Sequence, residues 1–253
     1  SQLVVDLDGN GLIQATDLII NMTGETGFAS ADMTAKVTGG SAADTITTGG
    51  GNDVIVGGDD ADIMTGGAGN DYINASTGND IDISHGGTGN DTYEIVDAGE
   101  ADIFVEAASA GTDTLYFGSA LSTAGMKFGT AIGVAANLAM TNFEQVVIDG
   151  TTTATFSGTQ VSGLTLAFNS DGADTVGISA TATGATTAVD ASNWTFDAIT
   201  YTDANGEAAT GTALTIADSV TLIGNTGINA ISSASIGATI TSGTGADTIT
   251  AGA

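Results

Sequence analysis

Between residues 39 and 94 an aspartate returns every nine residues, and that spacing restricts the possible folds more than any other feature of the chain. Aligned from Gly39, the units run Gly39–Thr47, Thr48–Val56, Gly57–Thr65, Gly66–Asn74 and Ala75–Ile83. After two extra residues, Ser84 and His85, a sixth runs Gly86–Glu94. The sixth position of each unit is Asp44, Asp53, Asp62, Asp71, Asp80 and Asp91; the eighth is Ile46, Ile55, Met64, Ile73, Asp82 and Tyr93. A short fixed period belongs to chains that stack one small unit on the next and bury a continuous core between them.

Each unit has a glycine-rich half and a half rich in Thr, Ile and Val. Glycine permits positive φ and close backbone approach, which suits a turn through which carbonyls converge. The other half reads as a short strand. Aspartates stacked along one edge repel unless a divalent ion lies between them. Calcium takes roughly 6–8 oxygen ligands at about 2.3–2.6 Å, a mixture of carboxylates and carbonyls that such turns supply. The apolar eighth positions then fill the interior, and because neither half is stable alone, binding and folding are coupled. A low-complexity acidic linker is the competing interpretation; six in-register aspartates with large apolar partners argue against it.

Gly66-Gly67-Ala68-Gly69-Asn70-Asp71-Tyr72-Ile73-Asn74 and Gly86–Glu94 resemble the repeats-in-toxin (RTX) pattern G-G-x-G-x-D-x-U-x, with U a large apolar residue. The resemblance implies an all-β fold, a calcium-bound parallel β-roll in which two units make one turn, joined to further solenoid or sandwich-like β segments. Calcium would then bridge Asp44 to Asp62, Asp53 to Asp71, Asp62 to Asp80 and Asp71 to Asp91. The pattern has departures. Ala42 and Asp60 replace the glycine of position four, Asp82 occupies an apolar slot where Ile81 or Ile83 can substitute by slipping, and Ser84-His85 can shift the register of the last pair.

A second acidic loop, Asp6-Leu7-Asp8-Gly9-Asn10-Gly11-Leu12-Ile13-Gln14-Ala15-Thr16-Asp17, resembles an EF-hand or dockerin-type calcium loop. Asp6, Asp8, Asn10, Leu12 (through its carbonyl) and Asp17 stand at ligand positions, with Asp17 in place of the usual Glu. Near the end of the sequence Leu222, Ile231, Ile240 and Ile249 recur at the same period of nine, but only Asp247 carries the acidic motif; Asn229 and Ala238 stand at the earlier positions. Asp247 lacks a stacked partner within the chain, and Asp174 is a further isolated match. The chain opens without methionine and stops at Ala253 inside a unit, which reads as a piece of a longer protein.

Composition narrows the function. Two lysines, Lys36 and Lys127, face 30 carboxylates, for a formal net charge of −28. That balance disfavours nucleic acid, which needs cationic side chains on its phosphates, and equally an anionic membrane surface. No run is apolar enough to span a membrane. With no cysteine there is no disulfide framework, so bound metal is the available staple. No HExxH, GxSxG or P-loop is present, and His85 is the only histidine, so an enzyme is not expected. Trp194, Phe196 and Tyr201 read as packing a thin β core. Short helices are expected only around Asp17–Met22 and Ile132–Met140.

Four regions follow: 1–37, the EF-hand-like loop and a short linker; 38–119, the roll with capping strands; 120–219, a Thr/Ala-rich β region; and 220–253, a degenerate second nine-residue run. The resemblance, with the low Lys and Arg content, implies an extracellular calcium-dependent structural module. A bacterial surface-layer subunit that self-associates with its neighbours is one form of it. The carrier region of a type I secreted exoenzyme, toxin or adhesin is the other.

Overall fold

The computed structural model describes residues 2–6, 19–21, 34–75, 80–96, 102–108, 111–118, 121–122, 127–129, 140, 142–148, 153–161, 163–170, 175–179, 187–190, 194, 199–210, 212–213, 219–223, 229–232, 238–241 and 248–250. The first strands are β1 (Gln2–Asp6), β2 (Ile19–Asn21), β3 (Thr34–Gly40), β4 (Thr45–Gly50), β5 (Val54–Gly58) and β6 (Ile63–Ala68). They continue as β7 (Tyr72–Asn74), β8 (Ile83–Thr88), β9 (Thr92–Ile95), β10 (Ile103–Val105) and β11 (Thr114–Phe117). Odd-numbered strands lie side by side in one sheet and even-numbered strands in a second, and every pairing between neighbours is parallel. Two units therefore make one turn of a parallel β-roll.

One inward-facing residue from each successive strand builds the core. In the odd sheet Val37, Ile55, Ile73, Tyr93 and Leu115 are in register; in the even sheet Ile46, Met64, Ser84 and Phe104 are. All are buried. Side chains of a strand alternate between faces, so one residue in two points inward, and each apolar one contributes about 1.5–3 kcal/mol by leaving water. The glycine half is sterically fixed as well. A Cβ on Gly58, whose φ is +123°, would collide with the Gly40 carbonyl of the neighbouring turn. At position four of the third unit Asp60 itself adopts φ 66°, a conformation that Asp tolerates better than most side chains, so the departure from glycine keeps the turn.

Farther along come β12 (Leu121–Ser122), β13 (Lys127–Gly129), β14 (Gln145–Ile148), β15 (Thr153–Ser157), a single helical turn α1 (Gly158–Val161), β16 (Ala167–Ser170) and β17 (Thr175–Ser179). The odd sheet continues through β14 and β16, β13 follows β10 in the even sheet, and β12, β15 and β17 begin a third. The remaining strands are β18 (Thr187–Asp190), β19 (Thr200–Thr202), β20 (Ala208–Thr210), β21 (Thr212–Ala213), β22 (Ser219–Ile223), β23 (Asn229–Ser232), β24 (Ala238–Thr241) and β25 (Thr248–Thr250). In the second nine-residue run Leu222 pairs with Ile240 and Ile231 with Ile249, again alternate units. Sheet pairing runs across residues 37/38 and 119/120: β3 spans the first, and β11 pairs with β14 across the second.

One helix expectation changes. Ile19–Asn21 is a strand paired with β4, not part of a helix, because adjacent β-branched Ile19 and Ile20 suit a sheet edge. Residues 132–139 lie outside the described residues, and Met140 is not helical. Trp194 is buried against Phe168, with ring centroids 4.7 Å apart, as a core residue should be. Tyr201, by contrast, is only half-buried. It stacks on Tyr116 at 5.5 Å and with Tyr72 and Glu94 walls an open cleft of about 330 Å³ on the outer face of the odd sheet. Phe196 lies outside the described residues.

Candidate metal centre

Each buried aspartate of the ladders immediately precedes a strand, so its backbone N–H and its side chain face the neighbouring turns. The Oδ1 of Asp53 accepts the Ala35 N–H at 2.7 Å, that of Asp71 the Asp53 N–H at 2.7 Å, that of Asp91 the Asp71 N–H at 2.8 Å, and that of Asp113 the Asp91 N–H at 2.9 Å. Glu144 Oε2 ends this ladder on the Asp113 N–H. Along the even sheet, Asp62 accepts from Asp44, Asp82 from Asp62, and Asp102 from Asp82, at 2.7–3.0 Å. These bonds satisfy one oxygen of each carboxylate. The Oδ2 atoms of Asp53, Asp62, Asp71 and Asp91 are buried without a hydrogen-bond partner.

In the units that open on glycine, the Oδ2 of the aspartate points at that first glycine. A Cβ on Gly39 would collide with Asp44 Oδ2 and with the Gly57 carbonyl; one on Gly57 would meet Asp62 Oδ2 and, at 3.3 Å, the Ala75 carbonyl; one on Gly66 would strike Asp71 Oδ2. Carboxylate and carbonyl oxygens thus converge where no side chain fits. The donor set is all oxygen, partly anionic, and short of hydrogen-bond donors. That chemistry fits a hard divalent cation such as calcium.

Without a cation this arrangement is costly. Burial pushes the carboxyls of Asp71 and Asp91 up to about 8, and the charges of neighbouring carboxylates add to the effect. Asp62 and Asp82 rise to about 7 and Asp113 to about 6, again chiefly through burial. Asp53 is raised for the same reason.

The structure brings together Asp44, Asp53, Asp62, Asp71 and Asp91 as the period predicts, and the pairs Asp44–Asp62, Asp53–Asp71 and Asp71–Asp91 stand in the expected order. Asp80 is a correction. It is exposed, and Asp82 takes its place opposite Asp62. The two extra residues of the fifth unit lie before Asp82 instead of at Ser84-His85. Strand β8 pairs Ile63 with Ile83, Met64 with Ser84, and Gly67 with Gly87 without a break, leaving no room for a bulge between Ile83 and Gly86. Ser84 then occupies the inner slot beside Phe104, and Ile81 is left 46% exposed.

Sequence reasoning missed Asp82, Asp102, Asp113 and Glu144 as ladder members. Their signal was present in Asp102-Ile103-Phe104, Asp113-Thr114-Leu115 and Glu144-Gln145-Val146, each an acid two residues before an inward-facing apolar residue, but longer loops hid the period. It also missed a second ladder at position five. Asn52 Oδ1 accepts the Asn70 N–H, Asn70 Oδ1 the Asn90 N–H, and Asn90 Oδ1 the Thr112 N–H, at 2.8–2.9 Å. Asp8, Asn10, Leu12, Asp17 and Asp247 lie outside the described residues, and of Asp6 only the backbone, at the end of β1, is described.

Fold and site together define a parallel β-roll whose edges are lined for hard cations. The family model for the RTX calcium-binding nonapeptide repeat matches residues 38–73 and 237–253, in four copies. The chain therefore carries RTX calcium-binding repeats, calcium is the ion such repeats bind, and proteins that carry them are typically secreted. No curated protein and no solved structure matches the chain. No helix among the described residues is long and apolar enough to cross a membrane.

Proposed function

We propose that the chain is a calcium-folded structural module of a cell-surface protein, part of a self-assembling surface layer, and that it has no catalytic role. Asp44, Asp53, Asp62, Asp71, Asp82 and Asp91 hold the ions of the roll together with turn carbonyls, and the loop from Asp6 to Asp17 and Asp247 supply further ligands. The observation that carries this reading is the set of buried carboxylate oxygens without hydrogen-bond partners, on Asp53, Asp71 and Asp91 along one edge and on Asp62 at the other. Their carboxylates have work in binding an ion and shaping the backbone, which leaves them a structural role. Neutralising part of a charge of −28 also lets copies approach one another, since self-repulsion keeps such chains apart.

The test is a calcium titration of the chain in EGTA, followed by far-UV circular dichroism, light scattering and electron microscopy. Calcium should raise the β signal and then produce ordered assemblies. A β signal indifferent to EGTA would end the calcium reading. Calcium-dependent folding that leaves a monomer at every concentration would remove the surface-layer role and favour the carrier region of a secreted protein.

A further inference from the structure

Where the regular repeat ends, the odd-sheet ladder runs into a buried cluster of three acids. Asp91, Glu106 and Asp113 bring carboxylate oxygens within 4.8 Å of one another, and all three residues are buried. Asp91 belongs to the last regular unit, Glu106 directly follows β10 of the even sheet, and Asp113 directly precedes β11 of the odd sheet. Going from Asp91 to Asp113 takes 22 residues, where the regular step from Asp53 to Asp71 takes 18. The cluster therefore sits where the nonapeptide period gives way to longer loops.

Two oxygens in it have nothing to bond. Glu106 is 1% exposed; its Oε1 accepts the Tyr93 hydroxyl, while its Oε2 has no partner. Asp91 is 0% exposed and its Oδ2 has none either. A side chain on Gly86 would place its Cβ within 3.0 Å of Asp91 Oδ2, Glu106 Oε1 and Tyr93 Oη together. Oxygens of three side chains, Asp91 and Tyr93 at β9 and Glu106 after β10, converge on one glycine face, whereas at Gly66 the nearest atoms are all those of Asp71.

We propose that Asp91, Glu106 and Asp113 hold a calcium ion of their own, distinct from those of the regular repeat, and that it fastens the nonapeptide roll to the longer-looped turns beyond it. Three like charges this close in a buried site demand a counter-charge, and the donors are oxygens only, with no imidazole or thiolate to favour zinc. Calcium accepts an irregular set of carboxylate, hydroxyl and carbonyl oxygens, where magnesium demands near-octahedral order. Glu106 supplies the ligand that the repeat lacks at this level, from the opposite sheet, so the ion ties the two sheets across the end of the regular run. Tyr93, packed edge-on against Phe104 and Phe143, holds Glu106 in place through its hydroxyl.

This inference rests on calcium loading of the roll, and the experiment separates the two. Equilibrium dialysis of the full chain against calcium compares the parent with Glu106→Gln and with Asp53→Asn. Both variants should bind fewer ions than the parent, Glu106→Gln by about one per chain if the cluster holds a single ion, while its calcium-induced β signal survives. An undiminished count in Glu106→Gln beside a lowered one in Asp53→Asn would overturn this site and leave the repeat intact. No uptake by the parent would overturn the calcium reading itself. Should Glu106→Gln fail to fold, crystals of the parent grown with terbium decide the question. An anomalous peak between Asp91, Glu106 and Asp113 is expected; peaks along the repeat with none there would refute the proposal.

Discussion

Replacing Asp71 by asparagine should change stability in opposite directions with and without calcium. The amide oxygen of Asp71→Asn still accepts the Asp53 N–H that Asp71 Oδ1 holds at 2.7 Å, so the ladder bond survives. What disappears is a buried negative charge. Burial is the main reason that carboxyl is pushed up to about 8 from its ordinary 3.8. Each tenfold change in acidity is worth about 1.4 kcal/mol, so at pH 8 the cost of ionised Asp71 in the metal-free fold is bounded by about 5–6 kcal/mol. An effective dielectric well above that of a dry interior reduces it to on the order of 2 kcal/mol. In EGTA, with a stabilising osmolyte to populate the metal-free fold, Asp71→Asn should therefore be the more stable chain by that amount.

With calcium the sign reverses. An ion present at a hundredfold excess over its dissociation constant contributes about 2.7 kcal/mol to the folded state, and a variant that loses the ion loses that contribution. Urea denaturation at pH 8, followed by circular dichroism in both conditions, reads the two differences directly. A variant destabilised equally in EGTA and in calcium would show that the Asp71 carboxylate acts only as a hydrogen-bond acceptor or packing group, and the argument for it as a metal ligand would fail.

Acidification should help the metal-free fold. The carboxyls of Asp62 and Asp82 (about 7), Asp71, Asp91 and Glu106 (about 8) and Asp113 (about 6) all titrate above their unfolded values, so the folded chain holds more protons and loses stability as pH rises from about 4 to 8. Circular dichroism in EGTA should show more β structure at pH 5 than at pH 8, and a flat or opposite trend would contradict the burial of these charges. Calcium affinity should follow the reverse course, rising with pH over the same range as protons leave the ligands. The register of the fifth unit is tested by a pair of substitutions: Asp82→Asn should lower the number of bound ions, Asp80→Asn should leave it alone, and the opposite result would restore the unshifted alignment.

The parts of this fold that were legible in the sequence are those that repeat without interruption. Asp53, Asp71, Ile55 and Ile73 follow the period of nine, and the structure stacks them in the order that two units per turn require. Register became unreadable where residues were inserted, because a sequence alone does not say which side of an insertion remains in the strand. Between Asp71 and Asp91 the deciding fact is the unbroken pairing of Ile83 through Gly87, a long-range constraint. Asp102 and Asp113 escaped for a related reason: each keeps the acid-x-apolar spacing of the repeat, but loops of other lengths precede them. Glu106 carries no repeat signal at all, since its place is set by the meeting of two sheets.

The two side-chain ladders separate the specification of register from the tolerance of charge. Carboxylates accept N–H groups from the preceding turn, while Asn52, Asn70 and Asn90 accept them from the following one. Bonds in both directions fix each turn against its neighbours without any ion. Yet adjacent strands lie about 4.8 Å apart, and two carboxylates at that distance repel by roughly 3.5 kcal/mol at an effective dielectric of 20. A hydrogen bond to a charged acceptor returns only about 1.5–3 kcal/mol. Repeated along a file of five acids, Asp53, Asp71, Asp91, Asp113 and Glu144, the repulsion outweighs the bonds that the same side chains make. The roll is therefore encoded by its hydrogen bonds and its inward apolar residues, and it becomes affordable at neutral pH only when a divalent cation lies between successive turns.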